Sequence, residues 1–197
     1  RAPDAPFTVT TVGRLVPAKA QHLFIEAAER VLRQHSNVHF MIVGPGQREQ
    51  ELRRLASDLG IAGRVTLTGA RHDIPAILSR SDVFVLSSLW EGLPLSAIEA
   101  MAAARPVILT DVGGCRELVE HGSSGLVVSP GNSQAIADAI LALHGDEARR
   151  LAFGHAARER VRGAFDVQRL ATEYEALYSS VHTGTRRSPA GHRLTPA

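Results

Sequence analysis

Short apolar runs alternate along this chain with longer segments whose apolar residues recur at helical spacing. The apolar runs, each predicted to be a strand, are residues 7–12, 38–43, 65–68, 83–86, 106–109 and 125–128. The segments between them, predicted to be helical, are residues 20–34, 47–59, a short stretch from 74, 95–103 and a short stretch after 114. This alternation is typical of βαβ units, in which helices cover both faces of a parallel sheet.

We therefore predict an α/β fold, a Rossmann-like doubly wound parallel sheet of about six strands with helices on both faces. Three more helices are predicted near residues 133–143, 147–162 and 167–180. Asp73 and Ser133 are placed to cap the helices that follow them. With 197 residues, 44% of them hydrophobic and 21% charged, the chain suits one compact domain that needs no disulfide or metal.

The predicted domain covers residues 7–181. Residues 1–6 are expected to be the remnant of a linker, and residues 182–197 a disordered basic tail, because that segment mixes Ser, Thr, Gly, Pro and Arg without apolar periodicity. The sequence has no run of eighteen apolar residues and no apolar signal-peptide core at its start. We expect a soluble, cytoplasmic protein.

The basic pI of about 9.2 and the formal net charge of +2 first suggest a polyanionic partner. Three arginines of the tail, Arg186, Arg187 and Arg193, supply that excess, so the rest of the chain is almost neutral. A nucleic-acid-binding domain carries its basic residues clustered on the fold itself. The charge distribution therefore argues against a nucleic-acid partner.

The loop after the first strand has the composition of an anion site. Gly13 permits a close backbone approach, the following helix offers free N–H groups, and Arg14 and Lys19 add positive charge. Lys19 is the chain's only lysine. A diphosphate would suit this loop, although the residues alone also allow Arg14 and Lys19 to be merely solvated.

The loop after the fourth strand carries two carboxylates around a helix start. Glu91 lies on the loop, whereas Glu99 shares one face of the next helix with Ser96. Carboxylates accept hydrogen bonds from hydroxyls, and the N–H groups of Leu95 and Ser96 would face a phosphate. The pattern suits a polyhydroxylated, phosphorylated ligand. The alternative is that both glutamates are solvated acids favoured by the helix dipole.

Other conspicuous residues indicate packing rather than chemistry. In Gly44-Pro45-Gly46, the third glycine of a dinucleotide fingerprint is replaced by Glu49, which argues against that use. The nine histidines show no metal-ligand spacing, so no metal is expected. Cys115 lacks a nucleophile signature and is interpreted as a small apolar core residue. Trp90, which precedes Glu91, could pack its loop or touch a bound ligand, and packing is the favoured interpretation.

Taken in order, these motifs resemble a known family. They are Gly13-Arg14-Leu15 with Lys19, Glu91 and Glu99 in a Glu-Gly-Leu-Pro context, Glu99-Ala100-Met101-Ala102, Pro106-Val107-Ile108, and Gly113-Gly114 before Glu117-Leu118-Val119. Together they look like the donor-binding domain of retaining glycosyltransferase family 4. The resemblance extends over residues 7–181. It implies one half of a GT-B fold, in which two Rossmann-like domains face each other across a cleft.

The resemblance also implies roles for individual residues. Arg14 and Lys19 would bind the diphosphate and offset the charge on the departing nucleoside diphosphate, without a metal or other cofactor. Glu91 would contact the hydroxyls of the donor sugar, so Arg14, Lys19 and Glu91 are the expected catalytic residues. Glu99 would hold the ribose. The remaining expected substrate-binding residues are Gly13, Arg71 and His72 near the nucleobase, and Leu93, Pro94, Leu95 and Ser96 near sugar and phosphate.

Two positions depart from the family pattern, which usually has glycine after the lysine and before the Pro-Val-Ile strand. This chain has Ala20 at the first position, where we expect a helix to begin without strain, and Ala104-Arg105 at the second. Neither departure removes an expected ligand.

The expected function is transfer of a sugar from a nucleoside diphosphate sugar to an acceptor, with retention. The acceptor-binding N-terminal domain of the family is absent from these 197 residues, and any peripheral membrane contact would be made through it. The isolated chain is therefore expected to bind donor with little or no transfer. Two other functions stay open, a GT-B nucleotide-sugar epimerase domain and a non-catalytic nucleotide-sugar-binding module.

Overall fold

A computed structural model of the chain describes residues 5–165 and 167–182. Six strands are present: β1 (Phe7–Val12), β2 (Val38–Val43), β3 (Val65–Leu67), β4 (Val83–Leu86), β5 (Val107–Thr110) and β6 (Gly125–Val128). Helices follow them in the order α1 (Gln21–Leu32), α2 (Glu49–Asp58), α3 (Ile74–Arg80), α4 (Leu95–Ala102), α5 (Cys115–Leu118), α6 (Ser133–His144), α7 (Glu147–Ala164) and α8 (Val167–His182). Single 3-10 turns cover Pro17–Lys19 and Ala62–Arg64.

The six strands form one parallel sheet in the order β3-β2-β1-β4-β5-β6. The chain winds outward from β1 through β2 to β3, then returns to β4 beside β1 and winds the other way to β6. Right-handed crossovers in opposite directions place helices on both faces of the sheet. The predicted doubly wound Rossmann-like fold is confirmed, and every predicted strand lies within one residue of its observed bounds.

The hydrophobic core contains strand side chains that point toward the helices on either face of the sheet. Phe24 of α1 meets Phe40 of β2 edge to face, with ring centroids 5.5 Å apart. Helix α1 also packs against α6 on the same side. Strands β4 and β5 are buried along their whole length, as central parallel strands must be when helices cover both faces. This core fixes the strand ends from which the functional loops depart.

Two helix starts differ from the prediction. Asp73 precedes α3 but makes no capping bond, because its carboxylate pairs with Arg71 instead. At α6 the capping residue is Asn132, one residue before the expected Ser133, and its side-chain oxygen accepts a hydrogen bond of 2.9 Å from the Ala135 N–H. Ser133 is the first helical residue and is itself buried. In both cases a neighbouring side chain offers the better partner.

The chain divides into two compact units, with the boundary between Arg162 and Gly163. In the second unit, α8 is an amphipathic helix held by an ion pair of 2.7 Å between Arg169 and Glu173. Residues 1–4 of the predicted linker remnant and 183–197 of the predicted tail lie outside the described residues, so the predicted domain bounds stay a prediction. Within the described part of the chain, no helix is long and apolar enough to cross a membrane.

Ala20 and Ala104 adopt left-handed backbone conformations, with φ of 46° and 56°. The prediction that Ala20 begins its helix without strain is wrong, because it lies between the 3-10 turn and α1 in a region that disfavours a Cβ atom. Both positions are those at which the sequence departs from glycine. At both positions the backbone therefore keeps a conformation that suits glycine, although the residue is alanine.

Replacing Ala104 by glycine should stabilise the protein. Ala104→Gly is expected to raise the free energy of unfolding by about 1 kcal/mol, because it relieves left-handed strain at a half-buried residue. That gain corresponds to a melting temperature about 2–4 °C higher. Ala103→Gly is the matched control, since its φ of −77° suits alanine and the change should destabilise. Equal effects of the two changes would contradict the assignment of strain.

Candidate functional site

The candidate site lies at the carboxyl edge of the sheet, where β1 and β4 are neighbours. From this point the chain leaves β1 toward β2 and leaves β4 toward β5, so the two following loops diverge around a crevice. These loops are residues 13–20 and 87–94. They contact each other through a backbone hydrogen bond of 2.8 Å from the Leu89 N–H to the Ala18 carbonyl.

Glycines of the β2–α2 loop support the first of these loops. A Cβ atom on Gly44, whose φ is +136°, would lie 2.2 Å from the carbonyl oxygen of Gly13, and one on Gly46 would lie 2.4 Å from that of Leu15. Gly13 donates to Val43, and Leu15 to Pro45, each over 2.9 Å. Gly44 and Gly46 are therefore needed for the close backbone contact between these two loops.

An ion pair joins the two loops across the crevice. The Lys19 Nζ donates to Glu91 Oε1 over 2.5 Å. The Glu91 side chain is only 8% exposed and that of Lys19 22%, so the contact is largely shielded from solvent. Burial of a carboxylate is costly without such compensation. The only lysine of the chain thus provides the positive charge next to Glu91.

Arg14 belongs to the loop that follows β1. Arg14 is exposed to solvent. Its guanidinium forms no hydrogen bond or ion pair with any side chain in residues 5–165 or 167–182. Its backbone is fixed, because its carbonyl accepts a hydrogen bond of 2.9 Å from Gln21 Nε2 at the start of α1. Arg14 is therefore a tethered cation whose five donors are available to an anion.

The start of α4 contributes free backbone donors. The N–H groups of Ala97 and Ile98 both bond to the Pro94 carbonyl, whereas those of Leu95 and Ser96 find no acceptor among the described residues. Ser96 is half-buried and Glu99, one turn later, is exposed. Helix geometry places these two on one face, as predicted. The Leu93 and Leu95 side chains are exposed, while Pro94 is buried.

The loop after β5 closes the site from a third side. A Cβ atom on Gly113 would lie 1.8 Å from the Glu91 carbonyl oxygen, and one on Gly114 would lie 2.4 Å from that of Gly92. The Gly114 N–H donates to the same Gly92 carbonyl over 2.9 Å. Gly113 and Gly114 are thus required by the close approach of two loops. They hold the backbone that carries Glu91.

Cys115 is completely buried beside this loop. Burial, and secondarily the negative charge of Glu91, raises the pKa of its thiol to about 11. A thiol with so high a pKa is a poor nucleophile at neutral pH. The structure therefore supports the interpretation of Cys115 as a packing residue.

The position of Trp90 contradicts the prediction that its side chain packs within the loop. Its side chain is 71% exposed, beside Leu89 at 49%, so it does not pack into the loop. The physical reason is that Ser88 and Glu91 turn inward on either side and leave Trp90 pointing outward. The loop therefore presents an apolar surface to solvent next to the crevice.

The residues expected near a nucleobase lie after β3. Arg71 and His72 are both exposed, and Arg71 forms an ion pair with Asp73 over 2.7 Å. This contact raises the pKa of Arg71 and lowers that of Asp73. The loop reaches toward the crevice through a hydrogen bond of 2.9 Å from the Gly44 N–H to the Gly69 carbonyl.

Arg71 also borders a cavity of about 880 Å³ beside α3, which extends to Arg105. Neither Arg14 nor Lys19 nor Glu91 lines that cavity. Arg105, which the sequence left unexplained, donates to the Ser81 and Ala103 carbonyls over 2.9 and 3.0 Å. These bonds give it a structural role away from the crevice.

Sequence reasoning missed two residues behind the ion pair. The Ser88 hydroxyl donates to Glu91 Oε1 over 2.6 Å, and Thr110 Oγ1 donates to the Ser88 carbonyl over 2.6 Å. The available signal was their position at strand ends, where polar residues in otherwise apolar runs are unusual. Among the described residues, no group of three or more His, Cys, Asp or Glu side chains is placed to hold a metal ion.

Comparison with known proteins gives these features a context. A family model described as Glycosyl transferases group 1 matches residues 1–160. The GDP-mannose-dependent alpha-(1-6)-phosphatidylinositol monomannoside mannosyltransferase of Mycobacterium tuberculosis is 38% identical over 163 residues, which cover 78% of this chain and 42% of that enzyme. The chain spans about half the length of the curated relatives that it matches.

Two solved structures share the fold at appreciable identity. Anabaena Alr3699/HepE, crystallised in complex with UDP and glucose, has a TM-score of 0.85 and 30% identity, covering 89% of this chain and 49% of that one. The C-terminal domain of LpcC, a glycosyl transferase group 1 family protein from Francisella tularensis, has a TM-score of 0.76 and 26% identity. That match covers 82% of this chain and 87% of the domain.

The contact between Gly113 and Glu91 can be tested by adding one methyl group. Gly122→Ala changes a glycine with φ of +81° and no atom within 4 Å of its Cβ position, and should cost about 1 kcal/mol of conformational strain. Gly113→Ala carries the same strain plus collision with the Glu91 carbonyl, and should cost about 2 kcal/mol more. Urea unfolding measures both. Equal losses would contradict the close approach.

Proposed function

Because the chain belongs to the Glycosyl transferases group 1 family, we propose that it is the donor-binding half of a retaining transferase of glycosyltransferase family 4. The whole protein would move a sugar from a nucleoside diphosphate sugar to an acceptor. The observation that carries this proposal is the site itself. At the carboxyl edge of the sheet, Lys19 pairs with Glu91 across two loops, one of which also carries Arg14, while the other leads into α4, whose first N–H groups have no acceptor among the described residues.

The donor class follows from the chemistry of these groups. A diphosphate requires cations and N–H donors, which Arg14, Lys19 and the start of α4 supply. Sugar and ribose hydroxyls require acceptors, which Glu91 and Glu99 supply. The names of the two similar proteins support the same class, since one is GDP-mannose-dependent and the other was crystallised with UDP and glucose. The site residues suit either nucleotide.

In the proposed reaction the bond between the sugar and the diphosphate breaks, and negative charge grows on the leaving nucleoside diphosphate. Arg14 and Lys19 would stabilise that charge without a metal or other cofactor. Glu91 would orient the sugar through its hydroxyls and Glu99 the ribose. Gly13, Leu93, Pro94, Leu95 and Ser96 would line the diphosphate and sugar, with Arg71 and His72 near the base.

We further propose that an acceptor-binding domain, one half of a GT-B fold, faces this crevice in the whole protein. The exposed Trp90 and Leu89 supply apolar surface that such a domain would cover on closure. Without closure water is not excluded and no acceptor is positioned, so this chain alone would bind donor with little or no transfer. The location would be cytoplasmic, with any peripheral membrane contact made by the acceptor-binding domain.

Neither alternative function is favoured. A GT-B epimerase would share the diphosphate site, and a non-catalytic module would share its binding groups. However, the matched family, the Mycobacterium tuberculosis relative and the Francisella tularensis domain are described as glycosyl transferases or a mannosyltransferase. The paired glutamates provide acceptors for a sugar as well as for a ribose, as transfer requires.

Calorimetric titration with UDP, GDP and ADP, each with and without its attached sugar, tests the proposal directly. At least one nucleoside diphosphate should bind this chain with a dissociation constant below the millimolar range. The corresponding free nucleoside should bind much more weakly, because the proposed cations act on phosphate. Failure of all three diphosphates to bind at millimolar concentration would overturn the assignment of the donor site.

Arg14→Ala gives the sharpest test of the phosphate contact. It should weaken binding of the nucleoside diphosphate by about 1.5–3 kcal/mol, the usual contribution of a charged hydrogen bond, and scarcely affect the free nucleoside. Arg33→Ala is the matched control, because Arg33 lies at the opposite end of α1 and is paired with Glu29. Equal weakening of nucleotide and nucleoside would place Arg14 elsewhere than on the phosphates.

Lys19→Ala should weaken nucleoside diphosphate binding by a similar amount, but it also removes the partner of a buried carboxylate. The variant should therefore lose about 2–3 kcal/mol of stability in addition. The double variant Lys19→Ala with Glu91→Gln separates the two effects. It should recover most of the stability, measured by urea unfolding, while diphosphate binding stays weak. Recovery of binding as well would contradict a direct phosphate contact by Lys19.

A further inference from the structure

A buried chain of hydrogen bonds lies behind Glu91. Thr110, the last residue of β5, donates its hydroxyl to the Ser88 carbonyl over 2.6 Å. Ser88, two residues after β4, in turn donates its own hydroxyl to Glu91 Oε1 over 2.6 Å. Both Ser88 and Thr110 are 0% exposed. This series of hydrogen bonds connects the end of β5 to a carboxylate on the loop that follows the neighbouring strand, β4.

Two donors converge on one oxygen of the Glu91 carboxylate. Lys19 Nζ and Ser88 Oγ both reach Oε1, and no hydrogen bond reaches Oε2 from any residue in 5–165 or 167–182. A carboxylate oxygen accepts about two hydrogen bonds, so Oε1 is saturated and Oε2 retains its full capacity. Glu91 is 7% exposed, and Oε2 is not among the fully buried side-chain atoms that lack a hydrogen-bond partner, so this oxygen keeps some access to solvent.

Only one of these two donors is independent of ligand. Lys19 is a flexible point charge that a diphosphate would attract, and its contact with Glu91 weakens as it turns to the phosphates. Ser88 is enclosed by protein, and its hydroxyl would be left unsatisfied if the carboxylate rotated away. Its hydrogen bond therefore persists when the ligand arrives, and Thr110 fixes the backbone from which it is made.

We infer that Ser88 is a positioning residue, which holds Glu91 Oε1 so that Oε2 faces the sugar of the donor. The inference rests on the proposed function and adds a residue that does not itself touch the ligand. It separates two roles between the two loops of the site, since Ser88 acts on recognition of the sugar and Arg14 on recognition of the diphosphate. Loss of Ser88 should then affect nucleotide sugars and spare nucleotides.

Ser88→Ala tests the inference through a difference that general loss of structure would not produce. Its affinity for UDP-glucose or GDP-mannose, whichever the unaltered chain binds, should fall about tenfold. Its affinity for the matching UDP or GDP should change less than twofold. Thr110→Val, which keeps the side-chain shape and folds with less disturbance, should lower nucleotide-sugar affinity two- to threefold, again sparing the nucleotide.

Ser81→Ala is the matched control. Ser81 is a buried serine at the opposite end of β4, and its hydroxyl lies 2.6 Å from Thr10 Oγ1. The change should cost similar stability and leave both affinities unchanged. Equal weakening of nucleotide and nucleotide sugar by Ser88→Ala, or no weakening of either by Ser88→Ala and Thr110→Val, would overturn the inference alone. An unaltered chain that binds neither class of ligand would overturn the proposed function, and this inference with it.

Discussion

The ion pair between Lys19 and Glu91 is the contact on which the arrangement of the site depends. It joins the loops after β1 and β4, the two strands at which the winding of the sheet reverses, and it lies largely out of solvent. An unpaired carboxylate there would be costly, so Lys19 and Ser88 both donate to it. The hydrogen bond from Lys19 to Glu91 also fixes the position of Lys19 beside the crevice. Stability of the loops and readiness for an anion are therefore properties of the same contact.

The fold and the location of the site could be predicted because they follow from local patterns. Six apolar runs separated by helical segments leave few alternatives to a doubly wound sheet, and in such a sheet the loops at the carboxyl edge carry the ligand. Gly13, Arg14, Lys19 and Glu91 all lie in those loops. Helix α1 begins one residue later than predicted and ends two residues earlier, which changes no element of the argument.

What could not be predicted depends on contacts between distant segments. The left-handed Ala20 is tied to a residue 67 positions later, since the Ser87 hydroxyl donates to the Ala20 carbonyl over 3.1 Å. The role of Ser88 requires knowledge that β5 lies beside β4, so that Thr110 reaches it. Packing was the favoured interpretation of Trp90, but the direction of a loop side chain is set by its neighbours, and here Ser88 and Glu91 are the buried ones. Hydrophobicity alone does not supply that direction.

The choice of residues at the two cationic positions has a physical reason. Lys19 pairs with a buried carboxylate oxygen in this structure and would turn toward a diphosphate when one binds, and a compact ammonium on a flexible stem suits both contacts. Arg14 has no such partner among the described residues and presents a planar fork suited to two phosphate oxygens at once. Exchanging the two residue types would place a rigid guanidinium against Glu91, where the Ser88 hydroxyl already occupies part of the same oxygen. The single lysine of this arginine-rich chain thus lies where a flexible ammonium can serve both a buried carboxylate and an anion.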